Sequence, residues 1–282
     1  MRLTWPALIV FIYASVCLAQ QPEMRWFGAS KVSGPVRSIR VEKADFVSRN
    51  GEPVEGPRML LQTATYNEDG TRVDIASYLP DGSVAVHTIE IYDPDGRRLE
   101  KVTLDSRGAS ANRMRWSYDD SKRMIGFTIY RADGSVAGKT TYTYAGNLRL
   151  QHTENYDRNG LIISRVDATL DMKTHRAESV AQSPEGVAQR TSAFTDTANS
   201  QTYETTLDGS PADKIVNTRV GTGAQVTQYT PNGAIKNQSH IQNEVDSHGN
   251  SIKTIWFEGP AGAEVSRPAS IYYRTFEYYQ AQ

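Results

Sequence analysis

One turn motif, a tyrosine followed by two variable residues, an aspartate or asparagine, and a glycine, recurs along this chain of 282 residues. It constrains the fold more than any other feature. Six segments carry it in full: Tyr66-Asn67-Glu68-Asp69-Gly70, Tyr78-Leu79-Pro80-Asp81-Gly82, Tyr92-Asp93-Pro94-Asp95-Gly96, Tyr130-Arg131-Ala132-Asp133-Gly134, Tyr156-Asp157-Arg158-Asn159-Gly160 and Tyr229-Thr230-Pro231-Asn232-Gly233. Degenerate copies stand at Tyr118-Asp119-Asp120, Tyr144 to Asn147, Glu185-Gly186, Leu207 to Gly209 and Asp246 to Gly249. Proline in the third slot presets φ for the first central residue of a type I turn, Asp or Asn suits the second, and Gly takes the left-handed position that follows. The motif therefore reads as a hairpin turn with a G1 bulge. Tyrosine ends the incoming strand, where its ring packs on a half-buried sheet face and its hydroxyl stays wet.

Successive turn signals lie about 12 to 14 residues apart, the spacing of strands joined by tight turns. Between them the runs alternate with period two, as in Met114/Trp116/Tyr118 and Leu148/Leu150, which argues strand and against helix. The least strand-like stretch is Thr174 to Gln189, and even there Pro184-Glu185-Gly186 looks like a turn. Strands of about eight residues would number about 16 to 18 and span roughly 80 Å side by side at 4.8 Å each. Open twisted sheets rarely exceed about ten strands. The expected fold class is all-β: a long antiparallel meander of repeated hairpins, strongly coiled, closing on itself or folded into two layers.

Met1 to Ala19 reads as a secretory signal, with Arg2 as the basic n-region, Ala7 to Val16 as the apolar stretch and Cys17-Leu18-Ala19 before the cut. The apolar run is short for a membrane span of about 20 residues. A lipidated Cys17 would need a Leu-small-small pattern that Ala14-Ser15-Val16 does not supply. Removal of the signal takes away the single cysteine, so no disulfide is available. It leaves 32 acidic and 30 basic residues, a balance that argues for neither nucleic acid nor an anionic membrane as partner. The organisation expected is a signal over 1–19, an N-terminal cap over 20–60 and a hairpin-repeat domain over 61–282, with no transmembrane segment once the signal is removed. Hydrophobic residues make up only 38% of the chain, which suits many short strands better than one thick core.

Tyr92-Asp93-x-x-Gly96-Arg97-Arg98-Leu99 and Tyr156-Asp157-x-x-Gly160-Leu161-Ile162 resemble the YD repeats of bacterial RHS-type cell-surface and toxin-shell proteins. Tyr229 to Lys236 is equally similar to the hairpin repeats of the MORN-like antitoxin class, and Asp246 to Lys253 with Tyr272 to Tyr279 resembles the closing segment of small secreted YD-repeat proteins. The resemblance covers most of residues 60–280. It implies a β-rich repeat fold and an envelope setting. It implies no activity and no cofactor.

The patterns that invite chemistry have plainer explanations. Gly134 to Thr140 has one residue too few between its glycines for a phosphate loop and precedes a strand instead of a helix. Asn155-x-Asp157-x-Asn159-Gly160 starts like a calcium loop, but the twelfth position is Val166 where a bidentate glutamate is required. The histidines at 87, 152, 175, 240 and 248 show no metal spacing, and no nucleophile elbow exists. The feature with a functional alternative is the aromatic ladder Tyr66, Tyr78, Tyr92, Tyr130, Tyr156 and Tyr229. A row of exposed rings can stack on sugars or anchor a protein; the plainer reading is that the rings pack each repeat against the next. The functional expectation is an exported, non-enzymatic protein, secreted or periplasmic, that presents a β-surface to a protein or glycan of the cell envelope. The alternatives are a purely structural shell fragment and a carbohydrate-active enzyme with an unrecognised site.

Overall fold

The turns take the geometry that their chemistry dictates. In the segment 92–98 the Asp93 amide donates to the Arg97 carbonyl and the Gly96 amide to the Asp93 carbonyl, each at 2.9 Å, while Gly96 has φ +78°. The Asp93 carboxylate accepts the Asp95 and Arg97 amides from below, closing the loop with its own side chain. The pair of backbone bonds repeats at five of the six motif copies; at Tyr66 the Asn67 amide donates one residue further on, to the Arg72 carbonyl. At five of them, and at Tyr118, the strand register slips immediately before the tyrosine, which is the bulge; at Tyr66 it does not.

The computed structural model describes residues 32–280 apart from 208–209, 222, 261–264 and 266. The signal expected over 1–19 and the first part of the expected cap lie outside the described residues. The strands are β1 (Val36–Arg49), β2 (Glu52–Glu55), β3 (Met59–Tyr66), β4 (Arg72–Tyr78), β5 (Val84–Tyr92) and β6 (Arg98–Leu104). Then come β7 (Ser110–Tyr118), β8 (Met124–Arg131), β9 (Val136–Ala145), β10 (Leu148–Tyr156), β11 (Ile162–Asp171) and β12 (Arg176–Gln182). The last are β13 (Ala188–Asp196), β14 (Ser200–Leu207), β15 (Ser210–Val220), β16 (Gly223–Tyr229), β17 (Ile235–Val245), β18 (Ser251–Pro260) and β19 (Arg267–Tyr278). Thr174 to Gln189, the least strand-like stretch by sequence, holds β12 and a hairpin turn at Ser183 to Val187.

From β3 to β19 every strand pairs antiparallel with the next, and β1 pairs with β3 on one side and β19 on the other. All strands but β2 therefore form one closed ring of eighteen. An antiparallel meander closes on itself only with an even number of strands, because the first and last must run in opposite directions. The expectations of two packed layers and of a YD-repeat or MORN-like hairpin array are both corrected by this closure. A two-layer fold would leave sheet edges with unpaired amides and carbonyls, and the pairing of Ile39 with Phe276 and Val41 with Arg274 along the seam leaves none. A circular ring of eighteen strands would be roughly 35 Å across at 4.8 Å per strand and a tilt of about 40°.

Direct cross-strand partners share a face, so the register assigns every strand residue to one of two walls. One wall runs Val73, Glu90, Lys101, Met114, Ile129, Gly138, Asn155 and Ser164 across neighbouring strands. It holds most of the buried side chains, among them Phe127, Tyr142, Leu170 and Phe194. Side chains converge on the concave side of a ring and splay on the convex side, so this is the inner wall. Some of its buried apolar residues form two separate clusters, Met114/Met124/Phe127/Tyr142 and Leu170/Ala177/Phe194, each on adjacent strands, and others such as Val73, Val166 and Ile241 stand outside them. That dispersal explains how a chain so poor in apolar residues folds. On the outer wall Ala44 and Ile271 are buried where β2 folds over β19, tied there by the Tyr273 hydroxyl donating to Glu55 at 2.7 Å.

Two glycines test the closeness of the sheet against the demands of the turns. A Cβ at Gly223 would stand 1.7 Å from the Ile241 carbonyl oxygen, whereas one at Gly96 would meet only open space but at positive φ. Gly223→Ala is expected to destabilise the barrel by about 3 kcal/mol, and Gly96→Ala by about 1 kcal/mol. Urea denaturation of both variants checks the order.

Candidate functional site

Consecutive turns alternate between the two rims of the ring, and the tyrosine ladder divides with them. Tyr66 and Tyr92, on β3 and β5, end at one rim and share the inner-wall parity of Ala64 and Glu90. Tyr78, Tyr130, Tyr156 and Tyr229, on even-numbered strands, end at the other rim with outer-wall parity. All six rings are half-buried. The ladder is thus not one row on one face.

Several rim tyrosines have a packing task that the structure displays. The Tyr118 hydroxyl donates to the Arg98 carbonyl at 2.8 Å and the Tyr144 hydroxyl to the Met124 carbonyl at 2.7 Å, each hooking the end of one strand to the start of the strand before it. Guanidinium groups cover the same rings, Arg97 over Tyr118 at 5.3 Å and Arg123 over Tyr144 at 4.7 Å. On the outer side Arg113 lies 5.0 Å from the Tyr130 ring, and the Tyr156 hydroxyl donates to Glu154 at 2.6 Å.

Two clusters of ionisable side chains were not singled out by the sequence. The first is on the inner wall. Glu90, almost fully buried, meets Arg98 at 3.1 Å and Lys101 at 3.8 Å and accepts the Tyr92 hydroxyl, so one carboxylate serves two cations. Burial pushes the Lys101 ammonium below the usual lysine range, and the attraction of Glu90 restores only part of it. Arg98 lies over the rings of Tyr92 and Trp116, at 5.6 and 5.2 Å, and its Nε is buried without a hydrogen-bond partner.

The second is on the outer wall. His152 Nδ1 lies 2.7 Å from Asp167 Oδ1, directly across β10 and β11, and its Nε2 lies 3.5 Å from Glu154. Arg165 approaches the same Glu154 at 3.5 Å. The Asp167 hydrogen bond, reinforced by the charges of Asp167 and Glu154, raises the His152 pKa above 6.5 against a smaller effect of burial. The Tyr156 hydroxyl foremost holds the Glu154 carboxyl below its usual range. Beside this cluster the exposed face of β9 to β12 carries an open hollow of about 450 Å³. His152 and Asp167 line it, with Thr141, Thr143, Leu150, Thr169, Glu178 and Val180.

Motifs that imitated other sites are spent on turns. Asp157, the middle ligand of the calcium-like segment, accepts the Asn159 and Leu161 amides at 2.8 and 2.9 Å. Gly134 makes the turn before β9, and Gly138 and Thr140 lie within that strand. His248 stacks on Tyr278 and His240 packs against Phe257. Among the described residues no group of three or more His, Cys, Asp or Glu side chains is placed to hold a metal ion, and no helix is long and apolar enough to cross a membrane.

No protein family and no curated protein matches the chain. Among solved structures, a porin-like protein from Bacteroides uniformis is similar at TM-score 0.43 and 9% identity, covering 87% of this chain and 98% of that one. A porin-like protein from Bacteroides vulgatus is similar at TM-score 0.33 and 11% identity over 89% and 100% of the two chains. A TcdB2-TccC3 structure is similar at TM-score 0.20 and 11% identity over 78% of this chain and 18% of that one. Likeness at this level says nothing of function, and the barrel stands on the pairing of its own strands.

Two measurements follow from the geometry. Tyr118→Phe and Tyr144→Phe each lose one hydrogen bond to a main-chain carbonyl and are expected to cost about 1 kcal/mol apiece in thermal unfolding. A proton NMR titration should place the His152 pKa above 6.5, with Asp167→Asn bringing it down. Because the folded-state value is raised, the stability contributed by the pair is complete below about pH 6.5 and is lost as pH rises through the folded-state pKa.

Proposed function

We propose that the chain is an exported, water-facing β-barrel of the bacterial envelope, secreted or periplasmic, whose role is to bind a protein or glycan partner without catalysis. The observation that carries this reading is the charge on the outer wall around the ring. In order, the wall displays Arg40/Glu42, Arg72/Asp74, Glu100/Arg115, His152/Asp167, Arg176/Glu178, Glu204/Lys214 and Glu244/Lys253. A barrel that spans a bilayer needs an apolar outer band about 25 Å tall, and an Arg or Lys at its midplane costs about 2–4 kcal/mol. Four of these pairs, Arg40/Glu42, Glu100/Arg115, His152/Asp167 and Glu204/Lys214, lie within strand bodies and the others nearer the rims, which supports a barrel solvated on the outside. The inner wall is no better suited to lipid, since Arg149, Gln151, Thr153 and Asn155 alternate along β10 on that side. Export is supported by the signal-like segment at 1–19.

Expression of the full chain in a Gram-negative host and fractionation by osmotic shock tests this. Recovery in the soluble periplasmic or extracellular fraction without detergent is expected. Sedimentation with membranes, or conductance steps in a planar lipid bilayer, would overturn it.

A further inference from the structure

The outer hollow between β9 and β12 is built on two register-aligned rows. Thr141, His152, Asp167 and Val180 are successive cross-strand partners, and Thr143, Leu150, Thr169 and Glu178 form the adjacent row. Three strand spacings by one two-residue step give a footprint of roughly 14 by 7 Å. Its length matches one or two pyranose rings, and the hollow's volume of about 450 Å³ lies within the range of small-molecule sites.

We propose that this hollow is a binding subsite for a short, uncharged saccharide; the proposal rests on the reading above and names the ligand class for it. Charge is the first argument. Each acid at or beside the hollow already faces a base: Asp167 faces His152, Glu178 faces Arg176 at 2.8 Å, and Glu154 faces His152 and Arg165. A charged ligand would find no uncompensated partner, whereas an uncharged one disturbs nothing. Hydrogen-bonding capacity is the second. An ionised carboxylate has about four lone-pair sites, so Asp167 and Glu178 keep acceptors after their ion pairs are made. The hydroxyls of Thr141, Thr143 and Thr169 can both donate and accept, which matches the two-way hydrogen bonding of sugar hydroxyls. Leu150 and Val180 supply the apolar patches that the C–H faces of a sugar ring need.

Shape excludes the main competitor. An extended peptide adds to a sheet through an open edge, and the closed ring offers none here because β9 to β12 are each paired on both sides. The hollow also lies on strands, with its rows set by backbone register, so its groups are held in place before a ligand arrives.

Titration calorimetry of the purified full-length protein with cellobiose, maltose, lactose and N,N′-diacetylchitobiose, and with polygalacturonate as a charged comparison, tests the proposal. Saturable binding of at least one neutral disaccharide is expected. Asp167→Asn should weaken it at least about tenfold, the loss of one charge-assisted hydrogen bond. Thr169→Trp, which fills the hollow, should abolish it, while Glu204→Gln on a distant outer pair should leave it unchanged. Circular dichroism and melting of each variant establish that the barrel is intact. No binding of any neutral disaccharide, a preference for polygalacturonate, or binding indifferent to both hollow substitutions would overturn the proposal. If the protein is soluble and exported yet binds no sugar, the hollow fails and the broader reading stands; if it inserts into membranes, the broader reading fails with it.

Discussion

Closure of the ring at the β1–β19 seam is the constraint on which the rest of the structure depends. Every strand in a sheet carries donors and acceptors on both edges, and a buried or exposed edge left unpaired is costly or prone to aggregation. With about 16 to 18 strands of ordinary length, a flat sheet would be too wide to stay open. The ring resolves this by pairing the first strand with the last: Ser38 to Lys43 of β1 pair with β3 along one edge, and Val36 to Asp45 pair with β19 along the other. Stability then comes from continuous backbone ladders and well-formed turns more than from one apolar core. The two small inner clusters, on β7 to β9 and β11 to β14, reinforce particular sectors of the wall.

A wall so dependent on its backbone is free in its choice of side chains. A helix bundle must keep one face apolar to stand, but a closed sheet can be polar on both faces provided its ladders are complete. This freedom appears as ion pairs along the outer wall and as Glu90, Arg98 and Lys101 among aromatic rings on the inner one. The inner cluster concentrates two cations on one carboxylate, and the outer one balances each charge locally. The balanced arrangement adjoins the hollow between β9 and β12, and balance is what an uncharged ligand requires.

The hairpin chemistry was legible in the sequence residue by residue: the slot for Pro94, the left-handed Gly96 and the tyrosine before the loop all have local causes. Closure was legible only as one of two outcomes beside a two-layer fold, because the choice depends on the parity of the strand count and on β1, which carries no tyrosine motif. The division of the ladder between two rims and two walls was hidden for a related reason. A motif read along the chain looks uniform, but consecutive turns lie at opposite ends of the barrel, and an even spacing along the chain is not an even spacing around the ring. The pairing of His152 with Asp167 was within reach, since the turn at 157–161 sets the register that brings them opposite one another. The hollow beside them was not, because it needs β9 and β12 as well, and small threonines on a strand carry no signal of what their neighbours leave open.

The bulge before most of the motif tyrosines links these points. One extra residue in a hairpin shifts the register by one, and a shift of one exchanges the walls on which the side chains beyond it lie. From β4 to β13 the bulges sit at the strand ends, so in that sector the exchange is confined to the rim and the strand bodies keep a single parity; the shifts at Val41/Glu42 in β1 and Trp256/Phe257 in β18 lie within strands near the seam. That is why His152 and Asp167 meet on the outer wall while Gln151 and Ala168, one residue away, belong to the inner one. The same tyrosine-turn unit that shapes each rim therefore protects the alignment of the rows at mid-strand, and the outer hollow exists only while that alignment holds.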